Sequence, residues 1–435
     1  MGLLSRMFEA RSASYSPKDP ALAEMFGGRP TVSGQHVTAD SALRVSAVYA
    51  CVTILAQTVA MLPKHVKALR EDGGKDLLPA HSRYKLIHNR PNRWQSSFEF
   101  FEMMEGHRLL RGNAYAKIVF NPGRQQNELV PIHPDHVHPF VVTPEGVAYY
   151  MSDDSPCPTA GSTLWYQYFP QNGGTEILSA EDVLHIRGYS VNGIVGLGVI
   201  KRAAREAIGL AMAAEEHGAA MLNNSANVPA AIKHPKKLND DAFKRLKSDL
   251  RAGGEYAGSS NAGKTILLED GMDIVKLGMT ADEMQYLETR KFQVEDIARI
   301  FNVPLILIGH GDKAPTYASA EQFFMSFKVH TVQPIVVRWE EAMMRSLLYP
   351  SEVGRVIIDF DLDSMMRGDA AARALYLRAR FEMASMTPDE VRVYEGENPT
   401  GKEEAARLYL QSGMMPASMA GSKPLAPGDK KEVKK

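Results

Sequence analysis

Gly258-Ser259-Ser260-Asn261-Ala262-Gly263-Lys264-Thr265 has the spacing of a phosphate-binding loop: glycine, four residues, then Gly-Lys-Thr. That chemistry needs a buried strand before the loop. It also needs a helix after the loop, because the helix N-terminus binds the phosphates. Here Arg251-Ala252-Gly253-Gly254-Glu255-Tyr256 makes no buried strand. Ile266-Leu267-Leu268 reads as a short strand turning at Asp270-Gly271, and no later apolar strand ending in Asp offers a magnesium ligand. The context favours a hairpin turn; a nucleotide-binding motor subunit built on 258–265 is the alternative reading.

Three other groups of residues raise chemical questions. His133, Asp135, His136 and His138 have metal-ligand side chains, but Pro131, Pro134 and Pro139 interleave with them. Zinc ligands usually come as separated pairs, so a Pro-rich loop is favoured. Asp359, Asp361 and Asp363 would share one face of a strand by the period of two, with Asp369 nearby. Such carboxylates can hold magnesium or do acid–base work; a solvated edge or an interchain ion-pair surface is preferred. Lys236, Lys237, Lys244, Arg245 and Lys247 cluster with Lys233, interspersed with Asp240, Asp241 and Asp249. Composition alone leaves a partner-docking surface and an ordinary charged helix equally open. No Ser-His-Asp or Cys-His arrangement stands out, and neither a catalytic residue nor a cofactor is assigned.

The 435 residues suffice for two to four structural units, and 44% hydrophobic with 23% charged residues is ordinary globular composition. The formal net charge of −1 excludes a polycation built to grip nucleic acid. Cys51 and Cys157 give no disulfide framework and suit a reducing compartment. No signal peptide is evident at the N-terminus. Val45–Leu62 lacks charge, but it contains Ser46, Thr53, Gln57 and Thr58 and barely reaches spanning length. It reads as a buried helix ending before Pro63, and no membrane is implied.

The elements that must position these residues follow from periodicity. Residues 1–39 read as a poorly ordered arm. A helix is predicted over 40–62, capped by Asp40 or Ser41, with Val48, Val52, Leu55, Val59 and Leu62 recurring on one face. A second is predicted over 97–112 after Ser96, with Phe98, Phe101, Met104 and Leu109 on its apolar side. From 114 to 190 the pattern is of short strands: 114–120, 137–142, 148–151, 163–169 and 183–186. After Gly193-Ile194-Val195-Gly196-Leu197-Gly198 comes a long helix to about 224, its stripe running Ile200, Ala203, Ala204, Ala207, Ile208 and Ala211. Residues 226–280 form a compact insertion, and a helix at about 282–302 follows it, stopped by Pro304. Two helices flanking an insertion suggest a stalk with a knob. Residues 309–318 read as a mobile loop. A helix then runs over 319–348 and must kink at Pro334, which removes a backbone donor. A strand at 356–362 and helices at 369–384 and 388–411, the latter capped by Thr387, complete an α+β chain. The tail from 413 is Met-, Pro-, Gly- and Lys-rich and reads as disordered.

Asp182-Val183-Leu184-His185-Ile186-Arg187-Gly188 and the run 193–198 resemble the portal protein (head–tail connector) family of long-tailed bacteriophages. The likeness continues through 263–271, through Ile297-Ala298-Arg299-Ile300-Phe301-Asn302-Val303-Pro304, through 316–321 and through Arg367-Gly368-Asp369-Ala370-Ala371-Ala372-Arg373. It covers about 40–400, and its specificity lies in the order and spacing of the motifs.

The resemblance implies a homo-oligomeric ring, usually of twelve subunits, at one capsid vertex of a virion, assembled in the host cytoplasm. It implies a mixed wing domain (40–195), long stem helices (196–225 and 281–303) and a small α/β clip insertion (226–280). A tunnel-loop region (304–318), the kinked long helix with a wing strand (319–366) and a C-terminal helical crown (367–412) complete the scheme. Such rings take double-stranded DNA in and out, dock the terminase large subunit and later the head–tail adaptor, and meet the major capsid or scaffolding protein. The clip basic residues would then dock partners, and Lys313, Thr316 and Tyr317 would touch DNA without reading sequence. Near-neutral charge suits sliding, because each phosphate contact adds salt-dependent affinity.

Overall fold

The computed structural model describes residues 30–121, 126–224, 230–233, 273–276, 281–310, 317–368 and 370–409. The chain divides into two compact units, one up to Asp361 and one from Leu362. The first unit is mixed helix and antiparallel sheet, as the α+β pattern predicts.

Its core begins with α1 (Ser46–Met61), whose Val48, Cys51, Val52, Leu55 and Val59 are buried. The expected helix start at Asp40 or Ser41 is wrong. Thr38 caps a separate turn, Ala39–Ala42, and α1 starts afresh at Ser46. Among the described residues no helix is long and apolar enough to cross a membrane. Pro63 leads into β1 (Lys64–Leu69), which pairs with β2 (Lys75–Leu77). Helix α2 (Ser97–Arg111) has a reciprocal capping box between Ser96 and Glu99, and Gly112 ends it at φ 79°. Phe101, Met104 and Leu109 are buried, whereas Phe98, expected beside them, is 41% exposed.

Two further sheets follow. In one, β3 (Asn113–Asn121) lies between β4 (Gln126–Ile132) and β9 (Val183–Arg187). In the other the order is β6 (Ala148–Tyr150), β5 (Val137–Val142), β7 (Thr163–Tyr168), β8 (Glu176–Ser179). Tyr115, Ile132, Val137, Tyr166, Leu178 and Val183 make a shared core.

A π turn, Ile200–Ala204, opens α3 (Arg205–Asn224). That widened turn changes the phase of the predicted stripe: Ile200, Ala204 and Ile208 are buried, but Ala203 faces solvent. The pair β10 (Ala230–Lys233) and β11 (Asp273–Lys276) precedes α4 (Ala281–Phe301). Next come α5 (Tyr317–Phe327), a π turn Lys328–Val332, and α6 (Gln333–Leu347). Pro334 sits in the first turn of α6 and follows the π turn directly. The Gln333 N–H bonds to Lys328 O five residues back, and a widened turn is one way a helix absorbs a missing donor. The strand β12 (Val356–Phe360) returns to pair with β1.

Trp339 of α6 is fully buried, 4.8 Å from the Phe101 ring, and donates its Nε1–H to Glu105 Oε2 at 2.8 Å. Glu105 is also ion-paired with Arg108, so the charge is buried but matched. Lys64, 2% exposed, bonds to Ala60 O and lies 4.3 Å from the Phe101 ring centroid. Burial lowers its pKa to about 7.

The second unit holds α7 (Ala370–Glu382) and α8 (Pro388–Tyr394), which pack on each other. Thr387 caps α8 reciprocally with Glu390 as predicted. The helix expected over 388–411 stops far earlier, with Gly396 at φ 83° just beyond it.

Candidate functional site

The expected channel-loop residues Lys313 and Thr316 lie outside the described residues, and Tyr317 is the first residue of α5. What the structure does show is how both sides of that loop are held. Ile297, Ala298 and Phe301 bury the end of α4. Asn302 then takes φ 55°, a left-handed conformation that Asn tolerates, and the Val303 N–H returns to Ala298 O at 2.9 Å. Pro304 stops the helix and starts the 3-10 turn Leu305–Ile308, ended by Gly309 at φ 70°. On the far side, Thr331 Oγ1 donates to Asn302 O at 2.7 Å, and Asn302 Nδ2 donates to His330 O at 3.2 Å. One residue therefore ties the exit of α4 to the π turn ahead of Pro334, and residues 303–330 leave and return through that tie. Sequence reading singled out Asn302 only within a motif and missed Thr331 entirely.

The basic residues Lys236, Lys237, Lys244, Arg245 and Lys247, and the loop 258–265, also lie outside the described residues. Their entry and exit are described. The chain passes through β10 and back through β11, antiparallel, with Lys233 opposite Asp273. Helices α3 and α4, which flank this segment, pack against each other.

The motif residues of 182–198 make a backbone crossing. Gly188 N–H bonds to Gly112 O at 2.7 Å, and Leu197 N–H to Tyr189 O at 2.6 Å. Asn113 joins the crossing to the sheet: its Oδ1 accepts from Gly196 N–H at 2.8 Å, and its Nδ2 donates to Gly196 O at 3.0 Å. His185 Nε2 sits 3.0 Å from the same Oδ1, so it carries the proton there, and Nδ1 accepts from the Tyr166 hydroxyl at 3.0 Å. Full burial, with Arg187 and Arg345 nearby, holds the His185 pKa well below its ordinary value and keeps the ring neutral. Arg338 of α6 donates to Gly188 O at 3.0 Å. A Cβ at Gly196 would lie 2.6 Å from Gly188 N and closer still to Gly112 O. These glycines are needed for close approach of backbone to backbone, not for binding phosphate.

The remaining clusters are tied into the fold. Asp135 pairs with Arg111 at 2.9 Å, and Arg111 also holds Asp40 at 3.0 Å. His133 and His107 rings meet edge to face at 5.3 Å, and burial followed by the His133 and Arg111 charges lowers His107 to about 4. The expected one-faced row Asp359, Asp361, Asp363 is not formed: β12 ends at Phe360, and Asp363 falls in the 3-10 helix Leu362–Gly368. Asp359 pairs with Lys67 across the β1–β12 ladder.

A family model described as phage portal protein matches residues 46–396. The portal protein of Enterobacteria phage HK97 is 27% identical over 399 residues, covering 91% of this chain and 88% of that one. The probable portal protein of Streptomyces phage phiC31 is 30% identical over 412 residues, covering 93% and 85%. A chain from the virion of a native gene transfer agent particle superposes with TM-score 0.53 at 25% identity, covering 88% of this chain and 99% of that one. Another, from the neck of such a particle computed with C12 symmetry, gives TM-score 0.51 at 24% identity, covering 92% and 99%.

Proposed function

The chain belongs to the phage portal protein family, and from that premise we propose that it assembles into a ring at one capsid vertex, a conduit for double-stranded DNA during packaging and ejection. The observation that carries this reading is the family match over 46–396, which runs from the first residue of α1 through the rest of the first unit. A twelve-subunit ring is supported by the fold shared with the chain of the C12 particle neck. The match also spans 258–265, so the Gly-Lys-Thr pattern sits inside a portal sequence, and the comparisons do not support the nucleotide-binding motor. The family is structural; catalysis is not part of the role.

In this reading, 40–195 is the wing, 196–225 and 281–303 are the stem and 226–280 is the clip. Residues 304–318 are the tunnel-loop region, 319–366 the kinked helix with a wing strand, and 367–412 the crown. The mutual packing of α3 and α4 on either side of the insertion supports the stem. Lys313, Thr316 and Tyr317 face the lumen and touch DNA transiently. Lys236, Lys237, Lys244, Arg245 and Lys247 dock the terminase large subunit and later the head–tail adaptor. The ring meets the capsid or scaffolding protein as it assembles in the host cytoplasm. The formal net charge of −1 supports a conduit that lets DNA slide, since tight phosphate neutralisation would hold it.

Negative-stain electron microscopy of the purified protein, across salt and protein concentration, tests the ring. Rings with a central hole wide enough for a duplex are expected; monomers under every condition would sink the reading. Replacing Lys313, Thr316 and Tyr317 together with alanine should impair DNA packaging or retention. Unchanged packaging and retention would remove the lumen assignment while leaving the ring.

A further inference from the structure

Helix α5 leaves large apolar side chains uncovered. Phe323, Phe324 and Met325 are consecutive, so they span about 200° of the helix circumference, and they are 49%, 55% and 43% exposed. Val329, one turn beyond Met325, is also exposed, while Phe327 is buried. The patch continues off the helix. Phe323 and Phe324 share a cleft with Pro304, Ile306 and Leu307, and Phe323 and Ile306 also line a cavity of about 340 Å³ with Arg299. Arg299 in turn lies 6.0 Å from the ring of Phe292, which is 56% exposed.

Large apolar side chains over so wide an arc call for cover, while Gln322 and Ser326 supply an exposed polar side. Phe292, Ile306, Phe323, Phe324, Met325 and Val329 together leave on the order of 600 Å² uncovered. That approaches the about 800 Å² one partner contributes to a standard interface, and it matches the largest patches of soluble monomers. Phosphate gains nothing from such side chains, because sequence-independent DNA binding rests on cations. Permanent interfaces between identical chains, by contrast, are the more apolar class.

We propose that this face, formed by α5, the 3-10 turn Leu305–Ile308 and the end of α4, packs against a second copy of the chain. The proposal rests on the ring reading and names the surface through which the ring closes. The contact is head-to-tail: a rotation that closes a ring brings this patch against a different surface of the next copy. The Asn302–Thr331 tie then has a second consequence. It joins the end of α4 to the π turn Lys328–Val332, so the two ends of the patch are held by one joint.

The test uses the full chain. Phe324→Glu should abolish rings at concentrations where the parent protein is fully assembled, raising the assembly concentration roughly 30-fold or more, as expected for an aromatic anchor. Its circular dichroism and unfolding midpoint as a monomer should match the parent. Phe324→Ser, without added charge, should weaken assembly in the same direction. Val353→Glu, at a 67% exposed site elsewhere, should leave rings intact. With p-benzoylphenylalanine at position 324, illumination should link two copies. Rings that survive Phe324→Glu, a link formed only within one chain, or equal loss of rings in Val353→Glu would each overturn this face while leaving the conduit standing. A parent protein that never forms rings would overturn both.

Discussion

The glycine crossing at 112, 188 and 196 and the apolar face of α5 lie in the same unit and solve opposite problems. At the crossing polar groups find partners inside the chain: Asn113 serves Gly196 through both its amide atoms and holds His185, and Arg338 closes on Gly188. At Gly112 and Gly196 an added Cβ would run into backbone atoms. On α5, Phe323, Phe324 and Met325 stand largely uncovered. The first region is complete in one copy of the chain; the second needs another. Substitutions at the crossing should therefore be paid for in folding, and substitutions on α5 in assembly.

The sharpest break of that contrast is Gly196→Ala. With backbone atoms of Gly112 and Gly188 in the way, neither neighbour can yield as a flexible side chain would. A loss above about 4 kcal/mol is expected, seen as failure to recover folded protein. Next comes Glu105→Ala, which leaves Arg108 buried without its partner and Trp339 Nε1 without an acceptor. Denaturant unfolding should show a loss of about 3–5 kcal/mol.

Lys64 gives a result of opposite sign. Its folded pKa is depressed by burial from 10.5 to about 7, so between those values the unfolded chain binds the proton and the folded chain does not. Stability should rise as pH goes from 7 towards 10, and the cost should be fully present below 7. Lys64→Met should remove that slope and stabilise the protein at neutral pH by on the order of 2 kcal/mol. Thermal unfolding of both proteins at pH 7 and pH 9.5 reads this directly; a parent protein that loses stability over that interval through this residue would contradict it. Thr331→Val should cost about 1 kcal/mol, by removing the hydroxyl that Asn302 O accepts from. The smallest effect should be that of Phe324→Ser on the unfolding of the monomer, within about 0.5 kcal/mol.

How far the sequence could be read differs element by element. Helix α2 was legible at both ends because Ser96, Glu99 and Gly112 carry their own capping chemistry. Strand β5 was legible with its observed bounds, and Thr387 announced α8. Strand β1 was not, because Lys64, His65 and Lys67 leave Lys-His-Val-Lys-Ala-Leu without an apolar–polar alternation, yet Lys64 is buried under Phe101. The stripe on α3 was misphased by a π turn that no residue type signals. For the candidate site, the motif 297–304 pointed to a helix end, but its role as a tie depended on Thr331, which is far along the chain.

The sequence by itself determined the α+β class, most helix boundaries and the family, because caps, periodicity and spaced motifs are local or additive signals. The tertiary structure alone decided why the motif glycines must be glycines, which charges are matched inside, and that α5 buries Phe327 but leaves Phe323 and Phe324 exposed. Those are properties of what approaches what across long separations in the chain. Burial, backbone clearance and uncovered apolar area exist only once the chain has folded.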